Sequence, residues 1–123
     1  MFQIKNNTIH LTRGDIATIE VKVKNGEGVD HTFNINDVVR FRVFKKKDCS
    51  KIELQKDVVV TEETTNVSIF LSGDETKIGE LISKPATYWY EVELNPDTAP
   101  QTIIGYDEEG EKQLILYPEG SDK

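Results

Sequence analysis

The sequence has a single cysteine, Cys49, among its 123 residues. One thiol cannot form an intrachain disulfide, so the fold depends on packing and nothing favours an oxidising compartment. Long apolar runs are also lacking, and the N-terminus has no basic segment followed by an unbroken apolar stretch. The sequence therefore predicts neither a secretion signal nor a membrane association, and it favours a cytoplasmic origin.

Positive charge is scarce as well. Lysine and arginine number 15 against 22 aspartates and glutamates, which gives a net charge of −7. Nucleic-acid binding draws most of its affinity from a clustered excess of lysine and arginine, so no nucleic-acid partner is predicted. The length fits one domain, which buries roughly two thirds of the surface that the unfolded chain exposes.

Apolar and polar residues alternate through most of the chain, which is typical of strands with one buried face. The pattern is clearest at residues 17–24, 39–43, 67–71 and 88–94, and weaker at 2–11, 52–60, 102–106 and 112–117. With turn residues between them, these segments predict an all-β, antiparallel immunoglobulin-like β-sandwich of about eight strands; a small barrel is the alternative. We assign residues 1–117 to this single domain and residues 118–123 to a flexible tail.

One segment interrupts the alternation. Ser72 and Glu75 have the spacing of a helix capping box, and Ile78, Leu81 and Ile82 follow at helical intervals. The pattern predicts a short connecting helix near residues 73–82 that ends before Pro85.

Catalytic motifs are absent. There is no nucleophile elbow, no phosphate-binding glycine loop and no dinucleotide fingerprint, and the 22 carboxylates of the chain single out no hydrolytic pair. His10 and His31 do not have zinc-site spacing, and the acidic residues at 107–111 favour a solvated hairpin tip over a calcium loop. The sequence predicts a protein that is not an enzyme, with no cofactor and no metal.

The tripeptide Arg13-Gly14-Asp15 matches an adhesion signal of secreted proteins. Gly14 allows a sharp turn, and Thr12 and Asp15 can bond nearby backbone groups where a strand begins. Without a secretion signal, we interpret these residues as the turn before the strand.

Two stretches are apolar on both faces. Val58, Val59 and Val60 form one, and Leu114, Ile115 and Leu116 with Tyr117 form the other. Such strands are either covered on both sides within the fold or meet another chain, and the second alternative makes these residues a candidate interface.

Trp89 lies on the face opposite Tyr88 and Tyr90 if those tyrosines point into the core. An outward tryptophan contributes to a protein interface or stacks on a sugar ring, here with Tyr106 or Tyr117; the alternative is that its ring covers a neighbouring strand.

Charges on two strands are complementary. Arg40 and Arg42 face outward on one strand and Glu91 and Glu93 on another, so we predict that these strands pair. The basic run continues with Lys45, Lys46 and Lys47, which together with the two arginines form either a solvated face or a docking patch for an acidic partner.

The segments "FQIKNNTIHLTRGDIATIEVKV", "NDVVRFRVFKK", "LSGDETK" and "ATYWYEVEL" together resemble small proteins of phages and prophages of Gram-positive bacteria. The named group they are similar to is the immunoglobulin-like N-terminal domain of phage baseplate upper proteins, over roughly residues 1–95. The resemblance implies a structural or adaptor protein of a phage tail or baseplate, whose partners are copies of itself or other phage structural proteins. It further implies assembly in the bacterial cytoplasm and a final place in the virion. A carbohydrate-binding module that uses Trp89 is the alternative.

Overall fold

The chain forms nine β-strands in a computed structural model that describes residues 1–24, 27–46, 51–105 and 110–119, and no helix occurs in those residues. The prediction of an all-β protein is confirmed, and the four clearly alternating segments become β3, β4, β6 and β7. The strands are β1 (Phe2–Lys5), β2 (Thr8–Thr12), β3 (Ala17–Val21), β4 (Val38–Phe44), β5 (Ile52–Val59), β6 (Val67–Leu71), β7 (Ala86–Leu94), β8 (Gln101–Ile104) and β9 (Gln113–Tyr117).

The strands form two sheets of unequal width. The large sheet has seven strands in the order β1-β2-β9-β7-β4-β5, with β8 also paired to β7, and the small sheet contains β3 and β6. Their facing sides share one hydrophobic core. Its fully buried side chains include Leu11, Val21, Phe33, Val39, Phe41, Val43, Ile69, Leu71, Val92, Leu114 and Leu116.

The prediction of a purely antiparallel arrangement is wrong. β2 and β9 run parallel, with Ile9 beside Leu114 and Leu11 beside Leu116. A short hairpin loop would force antiparallel pairing, but these two strands lie at opposite ends of the sequence, so their relative direction is free to follow the packing of the core.

The first weak segment, at residues 2–11, is a hairpin of two strands rather than one strand. Asn6 and Asn7 form its turn with φ angles of 51° and 66°, as a two-residue turn that matches the strand twist requires. The Tyr90 hydroxyl donates a hydrogen bond of 2.6 Å to the Asn7 carbonyl and so attaches the turn to the body of the fold. Burial raises the pKa of Tyr90 to about 12.

The helix predicted near residues 73–82 does not form. Its capping box is present, because the Glu75 carboxylate accepts from the Ser72 amide at 2.9 Å and the Ser72 hydroxyl accepts from the Glu75 amide at 3.2 Å. The chain makes one turn and then reaches Gly79, whose φ is +64°. Because a helix gains stability only after its costly first turn, a left-handed residue at this position stops it before it propagates.

This turn packs against the segment that contains Arg13-Gly14-Asp15, at a contact we call the 14–76 junction (Gly14, Asp15, Gly73 and Thr76). The fully buried Thr76 hydroxyl accepts from the Gly14 amide at 3.1 Å and donates to the Asp15 carbonyl at 2.7 Å. Gly14 has a φ of +90°, and the Asp15 amide donates back to the Thr12 carbonyl. The interpretation of the tripeptide as a turn is therefore confirmed.

Residues 120–123 of the predicted tail lie outside the described part of the chain, as do residues 107–109 of the predicted acidic hairpin tip. Pro118 and Glu119 are partly buried, and the Glu119 carboxylate accepts from Arg13 Nη1 at 2.7 Å. Arg13 also donates to the Ile78 and Gly79 carbonyls. With 12% of its side chain exposed, Arg13 binds within the chain and is not presented as an adhesion ligand.

Candidate interaction surfaces

An apolar strip crosses the outer face of the large sheet, the face directed away from the small sheet. The register places Ile52 of β5 beside Phe44 of β4, and Phe44 beside Trp89 of β7. Ile115 of β9 lies one row further on, beside Thr87. We call Ile52, Phe44, Trp89 and Ile115 the outer strip. Ile52 is half exposed, Trp89 and Ile115 are partly buried, and Phe44 is buried.

Trp89 lies in this strip because Tyr88 and Tyr90 are buried in the core and strand alternation turns the residue between them outward. Its indole Nε1 is buried and has no hydrogen-bond partner among the described residues. Gln113 is its cross-strand neighbour. The rings of His10 and Tyr117 lie on the same face, where His10 Nδ1 and the Tyr117 hydroxyl are 2.8 Å apart.

The other half of the outer face is charged and internally paired. Arg40 donates to both Asp57 oxygens at 2.8 and 2.9 Å and to Asp97 at 3.1 Å. The hydrogen bonds from Arg40 lower the pKa of Asp57. The hydrogen bond to Asp57, and to a smaller extent the one to Asp97, raises the pKa of Arg40.

Arg42 binds the glutamates of the neighbouring strand. Its Nη1 lies 3.2 Å from a Glu93 oxygen and 3.9 Å from a Glu91 oxygen. β4 and β7 pair with Arg40 opposite Glu93 and Arg42 opposite Glu91, which confirms the predicted pairing. Burial, and then the neighbouring Glu93, raise the pKa of Glu91.

The five cations of the predicted docking patch are thus not equivalent. Arg40 and Arg42 are held in ion pairs within the chain. Lys45 and Lys46 are exposed, and Lys47 lies outside the described residues. A docking role for an acidic partner stays a prediction, and it depends on the lysines because the arginines already have carboxylate partners.

A second candidate surface lies where the two sheets end side by side. A cavity of about 180 Å³ lies beside the end of β5 and the start of β6, and it is lined by residues 58–62, Thr64 and residues 66–68. We call it the edge groove. Val60 and Val67 are buried at its base and Val59 is 55% exposed.

These positions correct part of the predicted interface. Val60, Leu114 and Leu116 are buried in the core, with relative exposures of 4%, 0% and 0%, so they present no surface to a partner. Val59 and Ile115 turn outward from their strands, while Val58 is partly buried. In both apolar stretches the side chains therefore alternate between the core and the outer face, and the outward residues, Val59 and Ile115, are apolar as well. An interface role stays a prediction for Val58, Val59, Ile115 and Trp89.

Sequence reasoning missed Ile52 and Phe44 as cross-strand neighbours on the outer face beside Trp89. The register of β4 and β5 shifts between Val43 and Phe44, and this irregularity turns Ile52 toward the outer face. Strict alternation along β5 would place the Ile52 side chain on the same face of the sheet as the Leu54 side chain. The signal that could have identified the strip is Phe44, an apolar residue in phase with Arg40 and Arg42.

Within the described ranges, no group of three or more histidine, cysteine, aspartate or glutamate side chains is arranged to hold a metal ion. In the same part of the chain, no helix has the length and apolar character needed to cross a membrane.

Comparison with known proteins assigns no family to this chain. No family model matches it, and no curated protein matches it. One similar solved structure is the "chaperone-tip adhesion subunit pre-assembly complex from archaic chaperone-usher Csu pili of Acinetobacter baumannii", formed by CsuC and CsuE. The TM-score is 0.43 at 14% sequence identity, over 98% of this chain and 53% of the matched one. The chain spans about half the length of that neighbour, and a likeness of this size carries no argument about function.

Proposed function

We propose that this protein is a non-enzymatic structural or adaptor protein of the phage tail or baseplate type, which acts by assembling with copies of itself or with other structural proteins. The observation that carries the proposal is the outer strip. Outward positions of a two-layer β-protein are normally polar, and an apolar row that includes a tryptophan is typical of an interaction site. The phage setting, with assembly in the bacterial cytoplasm and a place in the virion, is supported by the sequence resemblance of residues 1–95.

An immunoglobulin-like arrangement is part of this proposal. β3 pairs with β6 in one sheet, while β9, β7, β4 and β5 are neighbours in that order in the other. This order corresponds to the B–E pair and the G–F–C–C′ series of a variable-type immunoglobulin sandwich. The parallel pairing of β2 with β9 extends the second series.

The assembly proposal predicts that Ile115→Asp weakens self-association. A carboxylate at the β9 end of the outer strip has to lose its hydration when the strip is covered, and that cost opposes binding. Light scattering across a concentration series should show an oligomer for the natural protein and a shift of at least about tenfold in its midpoint for the variant.

Thr18→Asp is the matched control, because Thr18 is an exposed residue on the outer face of the small sheet. It adds the same charge on the opposite side of the protein and should leave the oligomer unchanged. A natural protein that remains monomeric at every concentration, or two variants with equal effects, would argue against self-assembly through the strip.

Carbohydrate binding is the second candidate, favoured by the position of Trp89 between exposed Thr87 and partly buried Gln113 on the same face. An aromatic ring flanked by polar groups suits stacking on a sugar. Of the two tyrosines predicted to assist it, Tyr117 is partly buried beside His10, and Tyr106 lies outside the described residues.

Titration with cell-wall polysaccharides tests this candidate. Sugar stacking on the indole should change the tryptophan fluorescence saturably, and Trp89→Ala should abolish the binding measured by calorimetry. Flat titrations across a broad panel of polysaccharides would contradict carbohydrate binding, and assembly would then be the remaining proposal.

A further inference from the structure

We propose that the edge groove binds one extended strand of a partner protein, in which apolar residues alternate with basic ones, and that this strand pairs with β6. The inference rests on the proposed function in that it supplies an assembly protein with a partner. It uses a different surface from the outer strip, so each can fail without the other.

The backbone of β6 determines the shape of the occupant. Among the described residues, β6 pairs with β3 alone, and no backbone hydrogen bond there joins Val67–Leu71 to a third segment. One edge of β6 therefore presents a row of unpaired amides and carbonyls, which an added strand satisfies. A helix or a sugar does not supply a matching row of backbone groups.

The unequal width of the sheets gives this strand a place to lie. The large sheet contains seven strands and the small sheet two, and β5 at the margin of the large sheet contacts β6. The groove between these two margins is lined by valines from both sheets, including Val58 and Val67. Every second side chain of an added strand would point toward these valines, which favours apolar residues at alternate positions.

The charges around the groove select the other positions. Among the described residues that line it, Glu62 is the charged one, and Glu63 follows it as an exposed residue. Glu20 lies on the outer face of β3 opposite Ser68, where its carboxylate accepts from Ser68 and Asn66. The β6 segment VSIFL carries no charge. Lysine or arginine at the outward positions of the partner strand would complement these carboxylates.

A second copy of the chain fits the groove less well than a basic strand. Two copies that pair through β6 would bring the Glu20 and Glu62 carboxylates of both together, in a protein whose net charge is −7. Like charges brought close together oppose association.

The test uses three synthetic peptides of nine residues and the full chain. The first alternates lysine and valine, the second alternates glutamate and valine, and the third is the first peptide with every backbone amide N-methylated. We expect the lysine peptide to bind measurably by calorimetry, and the other two at least about tenfold more weakly, because one lacks charge complementarity and the other lacks backbone donors. The N-methylated peptide keeps the full charge, so it distinguishes strand pairing from general attraction to an acidic protein.

Two protein variants locate the binding. Val59→Lys places a cation at the groove, whereas Ile4→Lys places one on β1, at the opposite margin of the large sheet. Both side chains are about half exposed, so both variants are expected to fold. Val59→Lys should weaken binding of the lysine peptide at least about tenfold and Ile4→Lys should not. Hydrogen exchange of the Val67–Leu71 amides should slow when the peptide is bound.

Equal binding of the lysine peptide and its N-methylated form would overturn the proposal, as would equal effects of the two variants. If hydrogen exchange of the β6 amides slows as the protein concentration rises in the absence of peptide, the proposal is overturned, because a second copy of the chain then occupies the groove. Ile115→Asp separates the two interfaces: if it abolishes self-association but leaves peptide binding intact, the strip and the groove act independently. If the peptide binds while the natural protein never assembles, the groove proposal stands without the strip.

Discussion

Leu116→Asp is expected to leave the protein unfolded, whereas Ile115→Asp at the neighbouring position is expected to leave it folded. Leu116 is completely buried in the core, between Leu11 of β2 and Ala86 of β7. An aspartate there has to be buried as an unpaired charge or protonated, at a cost above about 4 kcal/mol. Since a domain of this kind has only about 5–15 kcal/mol of net stability, the loss is a large part of the total.

Ile115 lies on the same strand with its side chain on the outer face, beside His10 and Thr87. An aspartate at this position keeps its hydration, so the expected cost is about 1 kcal/mol, mainly from its poor fit to a strand. Circular dichroism during thermal unfolding compares the two variants directly. We expect a cooperative transition for Ile115→Asp and none for Leu116→Asp. A cooperative transition of similar midpoint in both would contradict the assignment of faces on β9.

These two residues show where the alternation of apolar and polar residues identifies the buried face of a strand and where it does not. In β3, β4, β6 and β7 a polar residue separates most pairs of apolar ones, so the period of two identifies both the strand and its buried face. In Leu114-Ile115-Leu116 the period is hidden because the outward residue is apolar too. Only the partners of β9, with Leu116 beside Leu11 on β2, show which residue is inside.

The missing helix has a different cause. The capping box predicted at Ser72 and Glu75 does form. The path of the chain beyond it depends on tertiary contacts, since Thr76 bonds to Gly14 and Asp15 while Ile78 packs into the core. A local signal for a helix start predicts one turn, and a longer helix requires that its apolar residues share one buried face. Here Ile78 is buried and Leu81 is 63% exposed, so the two do not share such a face.

The candidate surfaces were predictable only in part. The alternation of β7 places Trp89 on the outer face, because its neighbours Tyr88 and Tyr90 share one buried side. Its partners in the outer strip required the shifted register between β4 and β5. The edge groove required the sheet order, because the pattern of residues 58–68 does not show that the consecutive strands β5 and β6 belong to different sheets.

Thr76→Val is expected to destabilise the fold by about 1–3 kcal/mol, because it removes the hydroxyl at the centre of the 14–76 junction without changing the size of the side chain much. The Gly14 amide then loses its acceptor and the Asp15 carbonyl loses its donor. Thr76 is fully buried, so water does not replace the lost partners freely. Urea unfolding monitored by tryptophan fluorescence measures the change.

Thr76→Ser is the matched control, since it keeps the hydroxyl and removes one methyl group, with an expected cost of about 1 kcal/mol. The junction has little room to adjust, because an added Cβ on Gly73 would lie 2.7 Å from the Gly14 carbonyl oxygen. If the hydroxyl holds the junction, the valine variant is clearly less stable than the serine variant. If the packing of the methyl group matters more, the order reverses, and the Gly14-Asp15 turn would then be held by the shape of the core and not by hydrogen bonds from Thr76.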